Sequence, residues 1–196
     1  MKSMGMDRPP TGHDVELAAL AAAGDRRAYG ELVRRHGSAV RGLLRRLGAD
    51  SATADDLAQD AFITGFEQVA EFRGEGAFGA WIKKIAARLY LKKVKREARL
   101  IFSDTVEPVE EITVRDASGD GAAASRIDLD EALKTLSRGE RLCVSLCYGA
   151  DWSHAEAAEA LNIPIGTVKS HVKRGLDKLR AKLARPEEGT RREAHG

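Results

Sequence analysis

The sequence predicts an all-α protein of two small helical domains joined by a flexible acidic linker, and three observations carry that expectation. Hydrophobic residues make up 43% of the 196 residues but aromatics only 5%, so the core must be built from Ala, Leu, Val and Ile. Those residues recur at spacings of three and four, the helical period, rather than alternating as in strands. An acidic stretch containing Pro, Gly and Ser divides the helical pattern into two blocks.

Residues 1–13 and 185–196 read as disordered tails. The first block, residues 14–99, reads as four helices. Asp14 to Ala23 is short and Ala-rich. Asp25 caps a second helix running to about Leu47, with Tyr29, Leu32, Val33, Val40, Leu43 and Leu44 on its apolar side and Gly48 closing it. Ser51 or Thr53 opens a third, in which Leu57, Ala58, Ala61, Phe62, Phe66 and Val69 recur at helical spacing. After the loop Phe72-Arg73-Gly74-Glu75-Gly76 comes a fourth, with Phe78, Trp81, Ile82, Ile85 and Leu89 as its core stripe; Trp81 is expected to be mainly core.

Residues 100–126 form the linker. Asp104, Glu107, Glu110, Glu111, Asp116 and Asp120 stand there beside Arg115, and the segment has too little apolar surface to offset its ordering entropy. In the second block, residues 127–184, Ser137 with Glu140 and Ser153 with Glu156 have the spacing of capping boxes and mark helix starts. The helix from His154 to Leu161 packs through Ala157, Ala158 and Leu161. Asn162 suits a left-handed terminating residue, and Ile163-Pro164-Ile165-Gly166 turns the chain into a last helix. Val168, Val172, Leu176 and Leu179 point inward on it, with Lys169, Ser170, His171, Lys173, Arg174 and Lys178 mostly outward. Two helices joined by a tight turn, the second basic at its start, form the helix-turn-helix that places side chains on base edges in the major groove.

Several classes are excluded by the same reading. No run approaches the ~18 apolar residues of a spanning helix, and residues 1–13 lack the apolar core of a signal peptide, so a cytoplasmic protein without membrane insertion is expected. Cys143 and Cys147, four apart on one helix, are a poor basis for a disulfide scaffold and read as small buried apolar side chains. A zinc site adding His154 or His171 fits no familiar spacing. With no phosphate-binding glycine motif and no nucleophile beside a base, neither an enzyme nor a cofactor is expected.

The net charge of +2, from 32 Lys and Arg against 30 Asp and Glu, conceals a sharp partition. On the third helix Asp56, Gln59, Asp60, Ile63 and Glu67 fall on one acidic stripe opposite the apolar one. On the fourth, Lys83, Lys84, Arg88, Lys92, Lys93, Lys95, Arg96 and Arg99 face Glu97 alone, an excess of +7 over residues 81–100. Residues 166–185 carry an excess of +6. Such clusters release condensed counterions from phosphates and give steeply salt-dependent binding. Lys169, Ser170, His171 and Arg174, in the first turns of the last helix, are best placed to reach bases.

Three motifs in this order, Asp56-Leu57-Ala58-Gln59-Asp60-Ala61-Phe62, then Phe72-Arg73-Gly74-Glu75 with Phe78 and Trp81-Ile82, then Ile163-Pro164-Ile165-Gly166-Thr167-Val168-Lys169-Ser170, resemble the signatures of a bacterial extracytoplasmic-function sigma factor of the sigma-70 family. The match covers about residues 14–184. The resemblance implies that Asp56, Gln59, Asp60 and Ile63 of region 2 bind the β′ clamp helices of core RNA polymerase. It implies that Phe72, Arg73, Trp81, Lys84, Arg88, Lys92 and Arg96 melt and hold the −10 promoter element, by base flipping or stacking and by cationic contact with the strand. Region 4 would read the −35 duplex through Thr167, Lys169, Ser170, His171, Lys173, Arg174 and Lys178 and touch the polymerase β flap, and an anti-sigma factor would cover these surfaces.

Two positions depart from the family pattern. Arg88 stands where Asn is common, at a position tied to choosing a flipped −10 base. His171 stands where Arg is usual, and a neutral imidazole offers one donor and one acceptor instead of a guanidinium fork. A linker of about 27 residues spans at most ~90 Å extended and ~30 Å as a random coil, against ~70 Å between elements two duplex turns apart, so it must be drawn out when both modules bind. A rival reading is a helix-turn-helix regulator of the response-regulator output type, because Thr167-Val168-Lys169-Ser170-His171 also resembles the Thr-Val-Lys-x-His of those domains. That reading leaves the first block unexplained.

Overall fold

A computed structural model describes residues 11–72, 74, 76–102, 129 and 131–183. Most of the N-terminal tail, the C-terminal tail and most of the linker expected from the sequence lie outside the described residues, whereas residues 11–13 belong to the first helix. Two compact units form, one mainly from the first block and one mainly from the second, and no strand occurs among the described residues.

The first unit holds α1 (Thr11–Ala22), α2 (Arg26–Leu47), α3 (Ser51–Glu67), a 3-10 turn at Val69–Glu71, and α4 (Phe78–Phe102). The Asp25 carboxylate accepts from the amides of Arg27 and Ala28, which satisfies donors the helix itself leaves open and starts α2. Gly48, at φ +116°, follows its end. α3 opens at Ser51, one of the two starts expected, and the cap ahead of it is Asp50, whose side chain accepts from the Thr53 amide. A carboxylate there takes the amide bond and complements the positive helix end together, which a hydroxyl does less well. That amide bond holds the Asp50 carboxyl below its ordinary range. α1 begins at Thr11, ahead of Asp14, and α4 continues through Phe102.

The core of this unit draws on α2 and α4, where Leu32, Val40, Leu43 and Leu44 of the first and Phe78 and Ile82 of the second are all fully buried. α3 crosses α4 at Gly65, where a Cβ would fall 2.6 Å from Ile82 Cδ1 and 2.8 Å from the Tyr29 hydroxyl. Any side chain there would have to push both groups aside. The Tyr29 hydroxyl donates to the Phe62 carbonyl, and burial pushes its ionisation far above the ordinary range.

The second unit holds helical residues 131–134, α5 (Arg138–Val144), a wider π turn over Ser145–Gly149, α6 (His154–Leu161) and α7 (Ile165–Leu183). Both expected capping boxes form, at Ser137 with Glu140 and at Ser153 with Glu156. Asn162 takes the left-handed conformation, φ 56° and ψ 46°. α7 starts at Ile165, because the Pro164 carbonyl accepts from the amides of Thr167 and Val168. Ala132, Leu133, Leu136, Val144 and Leu179 form one buried cluster, with Val168, Cys143 and Leu146 fully buried as well.

Candidate nucleic-acid and polymerase interfaces

The acidic face of α3 exists as a surface. Asp56, Gln59, Asp60, Ile63 and Glu67 are all exposed, while Ala54, Leu57, Ala58, Ala61 and Phe62 of the same helix are buried. Ile63 is 60% exposed, an apolar side chain set among acids, which gives the face a hydrophobic anchor as well as charge. Asp55 borders it and lies 3.8 Å from Arg41.

The second surface combines aromatics with cations. Phe72, Phe78 and Trp81 form a triangle with ring centroids 5.5 Å, 5.6 Å and 5.4 Å apart. Phe78 is fully buried, whereas Phe72 and Trp81 are half-buried, so part of each ring faces solvent. Lys84, Arg88, Lys92 and Arg96 follow at intervals of four along α4, the first half-buried and the others exposed. Lys93 is drawn into a 3.0 Å pair with Glu97 and adds less to the positive stripe. Arg73 lies outside the described residues. The arrangement offers ring faces for unstacked bases and a cationic track for the strand that carries them.

The third surface is the outward face of α7. Lys169, Ser170, Lys173 and Arg174 are exposed at its N-terminal half, opposite the buried Val168, Val172 and Gly175. The Ser170 hydroxyl donates to the Gly166 carbonyl at 2.9 Å, which leaves its oxygen free to accept. Thr167 is half-buried. His171 does not share the outward face. Its ring is half-buried so near Gly139 of α5 that a Cβ there would stand 3.0 Å from Cε1, and its Nδ1 lies 3.3 Å from Arg174 Nη2.

Lys178 is engaged inside the unit, its ammonium 2.7 Å from Glu140, with the Arg174 guanidinium 3.8 Å from the same carboxylate. Glu140 is 4% exposed. Burial pushes its carboxyl up, but the Lys178 hydrogen bond and the Ser137 amide outweigh burial and hold it below the ordinary range. Its capping role was legible in the sequence; its hold on α7 was not, because spacing says nothing about a partner 38 residues away.

Sequence reasoning also missed Asp14, which is buried and bound to Arg35 and His36. No group of three His, Cys, Asp or Glu side chains among the described residues is arranged to hold a metal ion. Cys143 and Cys147 are free thiols. Burial pushes Cys143 up to about 11 and raises Cys147 too, which disfavours the thiolate needed for metal binding or redox chemistry. No helix among the described residues is long and apolar enough to cross a membrane.

Comparison with known proteins assigns both units. The sigma-70 region 2 profile matches residues 32–100 and the sigma-70 region 4 profile residues 132–181. The chain is 32% identical over 182 residues to the ECF RNA polymerase sigma factor SigE of Mycolicibacterium smegmatis, covering 90% of this chain and 70% of that protein. It is 33% identical to the ECF sigma factor SigM of Mycobacterium tuberculosis, covering 88% and 83%. Among solved structures it is similar to CnrH in complex with the cytosolic domain of CnrY, with a TM-score of 0.52, 28% identity, and 88% and 97% of the two chains covered. Two sigma-70 regions in order, each with an exposed basic helix, together with these relatives establish that the chain belongs to the ECF RNA polymerase sigma factors, the alternative sigma factors that direct promoter-specific transcription initiation.

Proposed function

We propose that the three surfaces divide the work of initiation. The exposed α3 face of Asp56, Gln59, Asp60 and Ile63 docks on the β′ clamp helices of core RNA polymerase, where acids meet a basic surface and Ile63 enters an apolar contact. Phe72 and Trp81 receive unstacked bases of the melted −10 strand while Lys84, Arg88, Lys92 and Arg96 follow its backbone. The N-terminal half of α7 enters the −35 major groove, with Lys169, Ser170, Lys173 and Arg174 toward the DNA. Region 4 also touches the β flap. Residues 14–99 and 127–184 are the two working modules, and residues 100–126 bridge them.

The observation that carries this reading is the separation of signs: one exposed acidic face on α3 and two exposed basic faces, on α4 and α7, each opposite a buried apolar stripe. The work is assembly and selection, with no reaction catalysed by the chain itself, and it takes place where core polymerase is, in the cytoplasm. An anti-sigma protein restrains it, as the complex of the similar CnrH with the cytosolic domain of CnrY supports.

Run-off transcription with purified core polymerase and a genomic promoter pool tests the whole reading. Promoter-dependent transcripts should appear only when the protein is added. A pool that yields none removes it.

A further inference from the structure

We propose that α1 braces the strand-capturing end of the first unit, and that Asp14 is the positioning residue through which it acts. The inference rests on the −10 assignment of Phe72, Trp81 and α4. α1 ends at Ala22, ahead of the segment matched by the region 2 profile, which begins at residue 32.

Asp14 is only 5% exposed. Its carboxylate accepts from Arg35 Nη1 at 3.1 Å and from His36 Nε2 at 2.8 Å, both on α2. The His36 ring lies 5.4 Å from Phe78, and a Cβ on Gly79 would stand 2.9 Å from its Nδ1. Phe78 in turn contacts Phe72 and Trp81. Asp14 is thus joined through His36 and Phe78 to the two rings that face solvent. A second route is direct, since α1 packs on the Val69–Glu71 turn and a Cβ on Gly74 would meet Val15 Cγ1 at 3.3 Å.

A buried carboxylate is a costly way to dock a helix, because an apolar side chain of similar size packs there without desolvating a charge. What a carboxylate supplies, and an apolar group does not, is orientation: it holds one edge of the imidazole so that the ring meets Phe78 in a single pose. Residues that receive an unstacked base need to be held to about 0.5 Å, by neighbours whose own rotamers are locked.

The test uses the full chain with core polymerase and a forked promoter DNA from the run-off pool, duplex upstream and single-stranded through the −10 element, with 2-aminopurine at one unstacked adenine. Asp14→Ala should weaken capture of the fork about tenfold and blunt the fluorescence change, the order of loss expected when a supporting contact shifts a binding group by a fraction of an ångström. Asp14→Asn should fall between. Val15→Ala, which leaves the charge cluster intact, should move the same signal in the same direction. Core binding by the α3 face of the same unit and binding of −35 duplex should both remain. Fork capture unchanged in Asp14→Ala overturns the brace, as does loss of core binding in parallel with capture in every variant, the pattern of a unit that merely unfolds. A wild-type protein that captures no fork overturns the −10 assignment, and the brace with it.

Discussion

A cation on the recognition helix contributes to DNA binding according to what else holds it. Lys173 is exposed, whereas Lys178 sits 2.7 Å from the buried Glu140 carboxylate. Both read as outward cations in the sequence, yet only one is at liberty to exchange a counterion for a phosphate. Lys173→Ala should lower the slope of log affinity against log salt for −35 duplex by about one, and Lys178→Ala by clearly less. Equal slopes would mean that Lys178 leaves Glu140 when DNA arrives. Glu140 also carries a pH signature. Its folded carboxyl titrates below the ordinary 4.5, so its contribution is present above that value and fades as pH falls through the lower folded one. Chemical denaturation from neutral pH downward should show this decline in the second unit, and Glu140→Gln should remove that part of it.

At the scale of elements, the close crossing of α3 and α4 is what sets the acidic face of one beside the aromatic end of the other. The crossing depends on Gly65, whose missing Cβ leaves room for Ile82 and Tyr29. Gly65→Ala gains about 1 kcal/mol of helix propensity but must push a fully buried Ile82 aside, and overpacking costs about 1–3 kcal/mol. The clash wins, and thermal melting should show net destabilisation. Gly30, on α2 with nothing within 4 Å of its absent Cβ, is the control: Gly30→Ala should stabilise by about 0.5–1 kcal/mol. Element boundaries were legible where their cause was local. Asp25, Ser137 with Glu140, Ser153 with Glu156, and Asn162 all act within a few residues along the chain, and each was read from spacing. The Asp50 cap was passed over for the hydroxyls beside it. His171 was read among the mostly outward residues, and its angle on α7 carries it to the flank facing Gly139.

For the whole molecule, the net charge of +2 is a sum of opposed surfaces rather than the absence of any. If the α3 face docks polymerase and α7 docks duplex DNA, charge reversal should separate the two. Asp56→Lys with Asp60→Lys is expected to weaken core polymerase binding by at least tenfold, about 1.4 kcal/mol, while free −35 duplex binding changes little. Both side chains are exposed, so the fold should tolerate the change. Equal loss in both assays would refute the division of labour.

By itself the sequence determined the helical class, the two-block plan, most of the caps and the opposed charge stripes, because each is written in neighbours a few residues apart. Tertiary structure alone decided which charged groups are spent within the fold. Asp14 finds His36 22 residues away and Glu140 finds Lys178 38 away, and both pairings are set by how helices pack, which no local spacing encodes.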